Sequence, residues 1–295
     1  MNTHTNISFS KMNGLGNDFV IIDARANGVA LNTSHVRHLA ARDNKLTQGC
    51  DQLLVIQPAR GTGDVFMQIF NQDGSEVAAC GNGTRAVAAY IAQKHGQAEV
   101  AIETLGGVLQ AHTQADGDNY HPQVRMPLPQ FNWRDIPLSQ ATETTASVAM
   151  HQQLPNGFMV NVGNPHAVFF LDTTPGATAA MAAQYGPELE TDGLFPERAN
   201  INFAMLVGDN ILRLDTWERG VGLTAACGTG ACASAIAAIE TALVDGPRVT
   251  IRPPANDDDN DNDVIHITYR PGKELIMAGP VRFDFDAQAP IEPSQ

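Results

Sequence analysis

The sequence predicts two copies of one domain, each with strand-like runs leading into a buried helix that starts on a cysteine. Three observations carry this. Ala79-Cys-Gly-Asn-Gly83 and Ala226-Cys-Gly-Thr-Gly230 stand 147 residues apart, each followed by a small-residue stretch, Ala86–Ala92 and Ala233–Ala238. The same offset carries Gly16-Asn17 to Gly163-Asn164 and Asn71 to Glu218. Such a repeat across a whole chain is the signature of duplicated architecture. Finally, 295 residues with 43% hydrophobic content suit two domains of about 150 residues with a core each.

Taken in order, Ile7–Met12 starts a strand, 13–18 is a turn, and Phe19–Asp23 is a buried strand. The lone Gly14-Leu-Gly16 is no dinucleotide fingerprint, because no third glycine or helix follows. Residues 34–42 read as a short helix with Ser34 as cap. Gln52–Gln57 and Val65–Phe70 are strands. The helix after Cys80 runs to about Lys94 and stops near Gly96. Residues 99–125 read as hairpins turning at Gly106-Gly107 and Asp116-Gly117. The proline-rich stretch from Pro122 to Pro137 marks the inter-domain crossing. The second copy starts near residue 155. Residues 174–187 form an Ala-rich helix between Pro175 and Pro187. Strands follow at 211–217, 247–252, 264–269, 274–277 and 281–285. The acidic run 256–263 reads as a solvated hairpin tip; it lacks the glycine and closing Glu of a calcium loop. The tail from Ala287 reads as loose.

Composition excludes some functions. A net charge of −14 and a pI near 4.9 leave no basic stripe for nucleic acid. No apolar run reaches the ~20 residues of a membrane span, and the polar N-terminus has no apolar signal core. Four cysteines in a chain this long point to a reducing, cytoplasmic setting.

The chemistry centres on Cys80 and Cys227. A thiol at a helix N-terminus meets free N–H groups and the positive end of the dipole, which favour thiolate. If the two copies face each other, the thiols flank one bound molecule. One then takes a proton from a carbon while the other returns a proton on the opposite face. The carbon acid beside a carboxylate is weak, so N–H groups at Gly81-Asn82 and Gly228-Thr229 would hold that anion. Asn17, Gln52, Asn71, Asn164, Asn200, Glu218 and Arg219 supply short polar arms around the pair, and His166 is placed to share a proton with one thiol. Cys50 and Cys232 have no repeat partner and read as packing residues. The Cys227–Cys232 spacing is neither a redox pair nor a zinc pair, and no metal site is expected.

The segments Met12–Phe19, Asp73–Gly83, Gly163-Asn-Pro-His166, Glu197-Arg-Ala-Asn-Ile201 and Glu218–Gly222 with Cys227–Cys232 together resemble the diaminopimelate epimerase family over nearly the whole chain. The resemblance implies an α+β fold of two similar domains, each a mixed sheet wrapped around a central helix, with the active site in the cleft between them. It implies domains at 1–122 and 123–274, with the C-terminal strands 275–295 returning to the first. It implies a cofactor-independent two-base epimerase that converts LL-2,6-diaminopimelate to the meso form for lysine and cell-wall synthesis. Cys80 and Cys227 would be catalytic, and His166 and Glu218 would tune them. Substrate contacts would fall at Asn17, Gln52, Asn71, Gly81, Asn82, Asn164, Asn200, Glu218, Arg219, Gly228 and Thr229. The partner would be a small amino-acid substrate, with no nucleic acid or membrane, in a cytoplasmic homodimer. Two departures stand out: Leu223 occupies a position where the family often has Glu, and Asn44–Gly49, which precedes Gln52, differs from the family's shorter turn. Proline and hydroxyproline racemases share the paired cysteines but not the Asn-Pro-His or Glu-Arg-Ala-Asn-Ile segments.

Overall fold

The computed structural model describes residues 5–117, 119–172, 177–254 and 263–291. The chain divides into two compact units. Unit 1 is Met1–Val124 with Gly279–Gln295, and unit 2 is Arg125–Ala278.

Unit 1 opens with β1 (Thr5–Gly14) and β2 (Asn17–Asp23), an antiparallel pair joined at Leu15-Gly16, both with positive φ. Helix α1 (Thr33–Ala40) leads to β3 (Gln52–Pro58), which lies parallel to β2 and antiparallel to β4 (Val65–Asn71). The short β5 (Glu76–Val77) precedes α2 (Gly81–His95), and then come β6 (Glu99–Thr104), parallel to β4, and β7 (Gly107–Asp116). β8 (Asn119–Met126) carries the chain across the boundary between the units. Every residue of α2 from Asn82 to Ile91 is buried. Ala, Gly and Val dominate that stretch, with Asn82, Thr84, Arg85 and Tyr90 buried among them, as expected of a helix enclosed on all sides up to its last turn. Gly96 ends it in the left-handed conformation, donating back to the Ala92 carbonyl.

Unit 2 repeats the plan. β9 (Phe158–Asn161) is antiparallel to β10 (Pro165–Phe170), α3 (Ala177–Glu190) follows, and β11 (Asn200–Gly208) lies parallel to β10 and antiparallel to β12 (Ile211–Glu218). After β13 (Gly222–Leu223) and α4 (Gly228–Glu240) comes β14 (Arg248–Arg252), parallel to β12, then β15 (Ile265–Arg270) and β16 (Glu274–Ala278). An offset of 147 superposes α2 on α4 and β4 on β12. In β11 the offset becomes 148, because Phe19 pairs with Gln52 whereas His166 pairs with Asn200. The mixed-sheet, duplicated α+β expectation holds.

Four details depart from the sequence reading. The cap of α1 is Asn32, not Ser34: its side chain accepts from His35 N, and the His35 ring accepts from Asn32 N. Helix α3 continues through Pro187 to Glu190. Its last turn is tied down because the Glu190 carboxylate accepts from Trp217 Nε1 and Gly220 N at 2.8 Å each. The tail is not loose as far as Ile291. β17 (Arg282–Ile291) pairs along β1, Ala289 opposite Ile7, and Ala289 and Ile291 are buried in the unit 1 core. The return to unit 1 begins at Gly279, so residues 275–278 stay with unit 2. Of the acidic run, 256–262 lies outside the described residues.

Candidate active site

In unit 1 the polar candidates gather where β2 and β3 begin and β4 ends, beside the start of α2. Cys80 is the helix N-cap, and its Sγ accepts from Gly83 N at 3.2 Å. Gly81 and Asn82 occupy the first turn, where N–H groups have no intrahelical acceptor. Asn82 Nδ2 donates to Asn17 Oδ1 at 2.6 Å, and its own Oδ1 accepts from the fully buried Arg85 at 2.9 Å. Arg85 can only donate, so it decides which way the Asn82 amide faces. Gln52 and Asn71 stand directly opposite each other on β3 and β4, with 3.4 Å between Nε2 and Oδ1.

Unit 2 builds the matching group. Cys227 caps α4, and its Sγ accepts from Gly230 N at 3.3 Å. Asn164 Nδ2 donates to Thr229 Oγ1 at 3.4 Å, as Asn82 and Asn17 join in unit 1. One residue on from the Ile201–Trp217 pair, Asn200 and Glu218 take the places of Gln52 and Asn71. Asn200 Oδ1 accepts from Arg219 N at 3.0 Å, while the Arg219 guanidinium reaches the Glu197 carbonyl. Leu223 is half exposed on β13.

The electrostatics of Cys227 reverse the thiolate expectation. Burial pushes its thiol well above the ordinary value, and the neighbouring Glu218 carboxylate, to which it hydrogen-bonds, pushes the same way. Thr229 Oγ1 at 3.6 Å and Gly230 N oppose this without prevailing. Apolar groups behind the thiol, among them Leu214, Ala231, Ile251 and Ile265, remove it from water. Desolvation of a charge therefore outweighs the helix terminus here. Glu218 is itself raised by burial, and its Oε1 accepts from Thr224 Oγ1 at 2.5 Å.

His166 is completely buried. Its Nε2 lies 2.9 Å from Asn164 Oδ1 and its Nδ1 lies 3.0 Å from Asn202 Nδ2. Both ring nitrogens are thus occupied by amides within unit 2. Burial, with the Arg219 charge adding to it, pulls its pKa down to about 3, so the ring is neutral near pH 7. Asn202, Thr216, Thr224 and Arg85 were missed in the sequence; each is a polar residue within a strongly apolar or Gly-rich run. Cys50 and Cys232 are buried, and burial pushes the Cys50 thiol up to about 12. Among the described residues, no group of three or more His, Cys, Asp or Glu side chains is arranged to hold a metal ion.

This doubled cysteine cap agrees with the comparisons. The family model for diaminopimelate epimerase matches the chain twice, over residues 9–131 and 158–279. A diaminopimelate epimerase from Sphingopyxis alaskensis is 46% identical over 280 residues, covering 95% of this chain and 96% of the relative. The chain belongs to the diaminopimelate epimerase family. The Erythrobacter litoralis member is 43% identical over 279 residues, covering 95% of this chain and 96% of that one. The fold extends further. A crystal structure of a hydroxyproline epimerase from Agrobacterium vitis superposes with a TM-score of 0.62, at 14% identity, over 98% of this chain and 92% of that one. Family membership makes this chain an isomerase of the epimerase class. No helix among the described residues is long and apolar enough to cross a membrane.

Proposed function

We propose that this chain interconverts LL- and meso-2,6-diaminopimelate by a two-base mechanism, with Cys80 and Cys227 as acid and base and no cofactor. The observation that carries this reading is the repeated cap. In both units a cysteine Sγ accepts the N–H of the third helical residue, beside two first-turn N–H groups suited to a carboxylate. Proton removal next to a carboxylate builds negative charge on that group, so those donors would act most strongly as the carbanion forms. The reading requires both thiols to reach one α-carbon from opposite faces. Cys227, kept protonated by burial and by Glu218, suits the acid at rest. Cys80 then serves as base, and the roles exchange in the reverse direction.

Asn17, Gln52, Asn71, Gly81 and Asn82 would bind from unit 1. Asn164, Asn200, Glu218, Arg219, Gly228 and Thr229 would bind from unit 2. Glu218 tunes Cys227 directly. His166 acts indirectly, through Asn164 and then Thr229. A small amino acid as sole partner, a cytoplasmic location and a homodimer complete the reading.

The test is proton NMR in deuterium oxide with purified protein, LL-diaminopimelate and no addition. Meso product with deuterium at the α-carbon is expected. Turnover that depends on added pyridoxal phosphate, or a preference for proline, would overturn it.

A further inference from the structure

Behind Cys227, polar side chains form one connected line inside unit 2. Thr216 Oγ1 donates to Asn202 Oδ1 at 3.0 Å. Asn202 Nδ2 lies 3.0 Å from both His166 Nδ1 and the Ala167 carbonyl. His166 Nε2 reaches Asn164 Oδ1 at 2.9 Å, Asn164 Nδ2 reaches Thr229 Oγ1, and that oxygen lies 3.6 Å from Cys227 Sγ.

One acceptor sets every proton in this line. A backbone carbonyl can only accept, so Asn202 must turn its NH2 toward Ala167, and its second N–H then points at His166 Nδ1. Nδ1 must accept, which places the ring proton on Nε2. That N–H needs an acceptor, so Asn164 presents its oxygen and aims its own NH2 at Thr229. The Thr229 hydroxyl accepts from Asn164 and keeps its proton for the sulfur.

We propose that Asn202 and Thr216 are positioning residues for the epimerisation, holding His166 as the Nε2–H tautomer so that Asn164 and Thr229 present an O–H donor to Cys227 Sγ as it becomes a thiolate. This rests on the two-cysteine reading above. The duplication shows that folding does not call for polar groups at these positions. In unit 1 the matching residues are Phe19, Leu54 and Ile69: Phe19 pairs with Gln52 as His166 does with Asn200, and Leu54 pairs with Ile69 as Asn202 does with Thr216. All three are almost fully buried. A buried polar line replacing a workable apolar core lowers stability unless every member is satisfied, and it is kept here for what it does to the sulfur. The buried ring's low pKa keeps it neutral, as the line requires.

The test compares Asn202→Leu/Thr216→Val, which imports the apolar character of unit 1, with Thr216→Val and Thr216→Ser. Stability is read from urea titration by tryptophan fluorescence. Turnover is read with LL-diaminopimelate, and the His166 tautomer from 15N NMR of histidine-labelled protein, assigned with His166→Gln. The double variant still carries His166 and leaves its Nδ1 and the Ala167 carbonyl without the Asn202 amide, so it is expected to unfold at a somewhat lower urea concentration than wild type while staying folded under assay conditions. Its kcat is expected to fall roughly 10- to 100-fold with KM within about 3-fold, as for an interaction made in the transition state. The fixed Nε2–H signature should be lost. Thr216→Ser should recover most of the turnover lost in Thr216→Val. Wild-type turnover in the double variant, or an Nδ1–H tautomer in the wild type, would overturn the proposal. If the double variant does not fold, equal turnover of Thr216→Val and Thr216→Ser overturns it. If the wild type has no epimerase activity, the functional reading fails, while the tautomer measurement still decides the line.

Discussion

Gly83 and Gly230 are repeat partners, each the third residue of its helix, yet replacing them by Ala should have opposite outcomes. A Cβ on Gly83 would meet Leu54 Cδ2 at 3.3 Å and the Cys80 Cβ and Sγ at 3.4 Å, contacts that small shifts relieve. A Cβ on Gly230 would meet Asn202 Oδ1 at 2.6 Å and Thr216 Oγ1 at 2.8 Å. Those two atoms are hydrogen-bonded to each other and buried, so the methyl must drive them apart. Leaving a buried partner unsatisfied costs ~1–3 kcal/mol, and overpacking a core costs another ~1–3 kcal/mol. Ala in place of Gly returns ~0.5–1 kcal/mol in a helix. Gly230→Ala should therefore destabilise by about 1–5 kcal/mol, whereas Gly83→Ala should lie within about 1 kcal/mol of wild type. The assay is well placed, since both tryptophans, Trp133 and Trp217, belong to unit 2. A urea titration read by their fluorescence reports the unit that carries Gly230. Equal midpoints for the two variants would refute the packing of Asn202 and Thr216 against α4.

Three further outcomes follow from the same geometry. Cys80→Ala and Cys227→Ala should each abolish epimerisation with circular dichroism unchanged, while Cys50→Ala and Cys232→Ala stay active; loss of activity in folded Cys232→Ala would contradict the repeat assignment. Glu218→Gln removes the second cause, after burial, that raises the Cys227 thiol, so Cys227 should ionise at lower pH. Iodoacetamide labelling of Cys227, followed by peptide mapping, should shift to lower pH than in wild type, and an unchanged profile would show that Glu218 does not act on the sulfur. Truncation after Asp286 removes the buried Ala289 and Ile291, and loss of the isoleucine alone costs about 1.5–3 kcal/mol. Amide exchange at Ile7 and Phe9 should speed up markedly, and unchanged protection would mean that β17 does not hold β1.

Much of the architecture was legible because its signals are local. Gly96 stops α2 since only a residue tolerant of positive φ fits there, and Gly106-Gly107 marks its hairpin for the same reason. The cysteine caps were legible because glycines flank them in both copies. Long-range pairing was not. Nothing within residues 287–291 announces a strand with a proline at 290; its partner, β1, lies at the other end of the chain. The end of α3 beyond Pro187 is likewise secured from outside, by Trp217 and Gly220 on Glu190.

The line behind Cys227 was illegible for a different reason, and the duplication itself held the missing signal. Comparing copies for what they share finds the cysteines, the Gly-Asn turns and the Asn71–Glu218 pair. It passes over positions where the copies disagree. Yet buried disagreement from apolar to polar is the informative kind, because the first copy shows what the fold alone accepts. Phe19, Leu54 and Ile69 give way to His166, Asn202 and Thr216; the first and third pairs fall on the fixed offset, while the one-residue slip in β11 hides the match of Leu54 with Asn202. Three buried polar groups stand in place of three apolar ones in a unit whose fold does not call for them, so each must be fully satisfied to avoid a cost in stability. Each is hydrogen-bonded, and the line ends on Cys227, whose thiol also hydrogen-bonds the Glu218 carboxylate. The scaffold is thus symmetric where it caps two helices with cysteines and asymmetric in the polar line behind Cys227, which is what the proposed two-base reaction, with one acid and one base at the same moment, would call for.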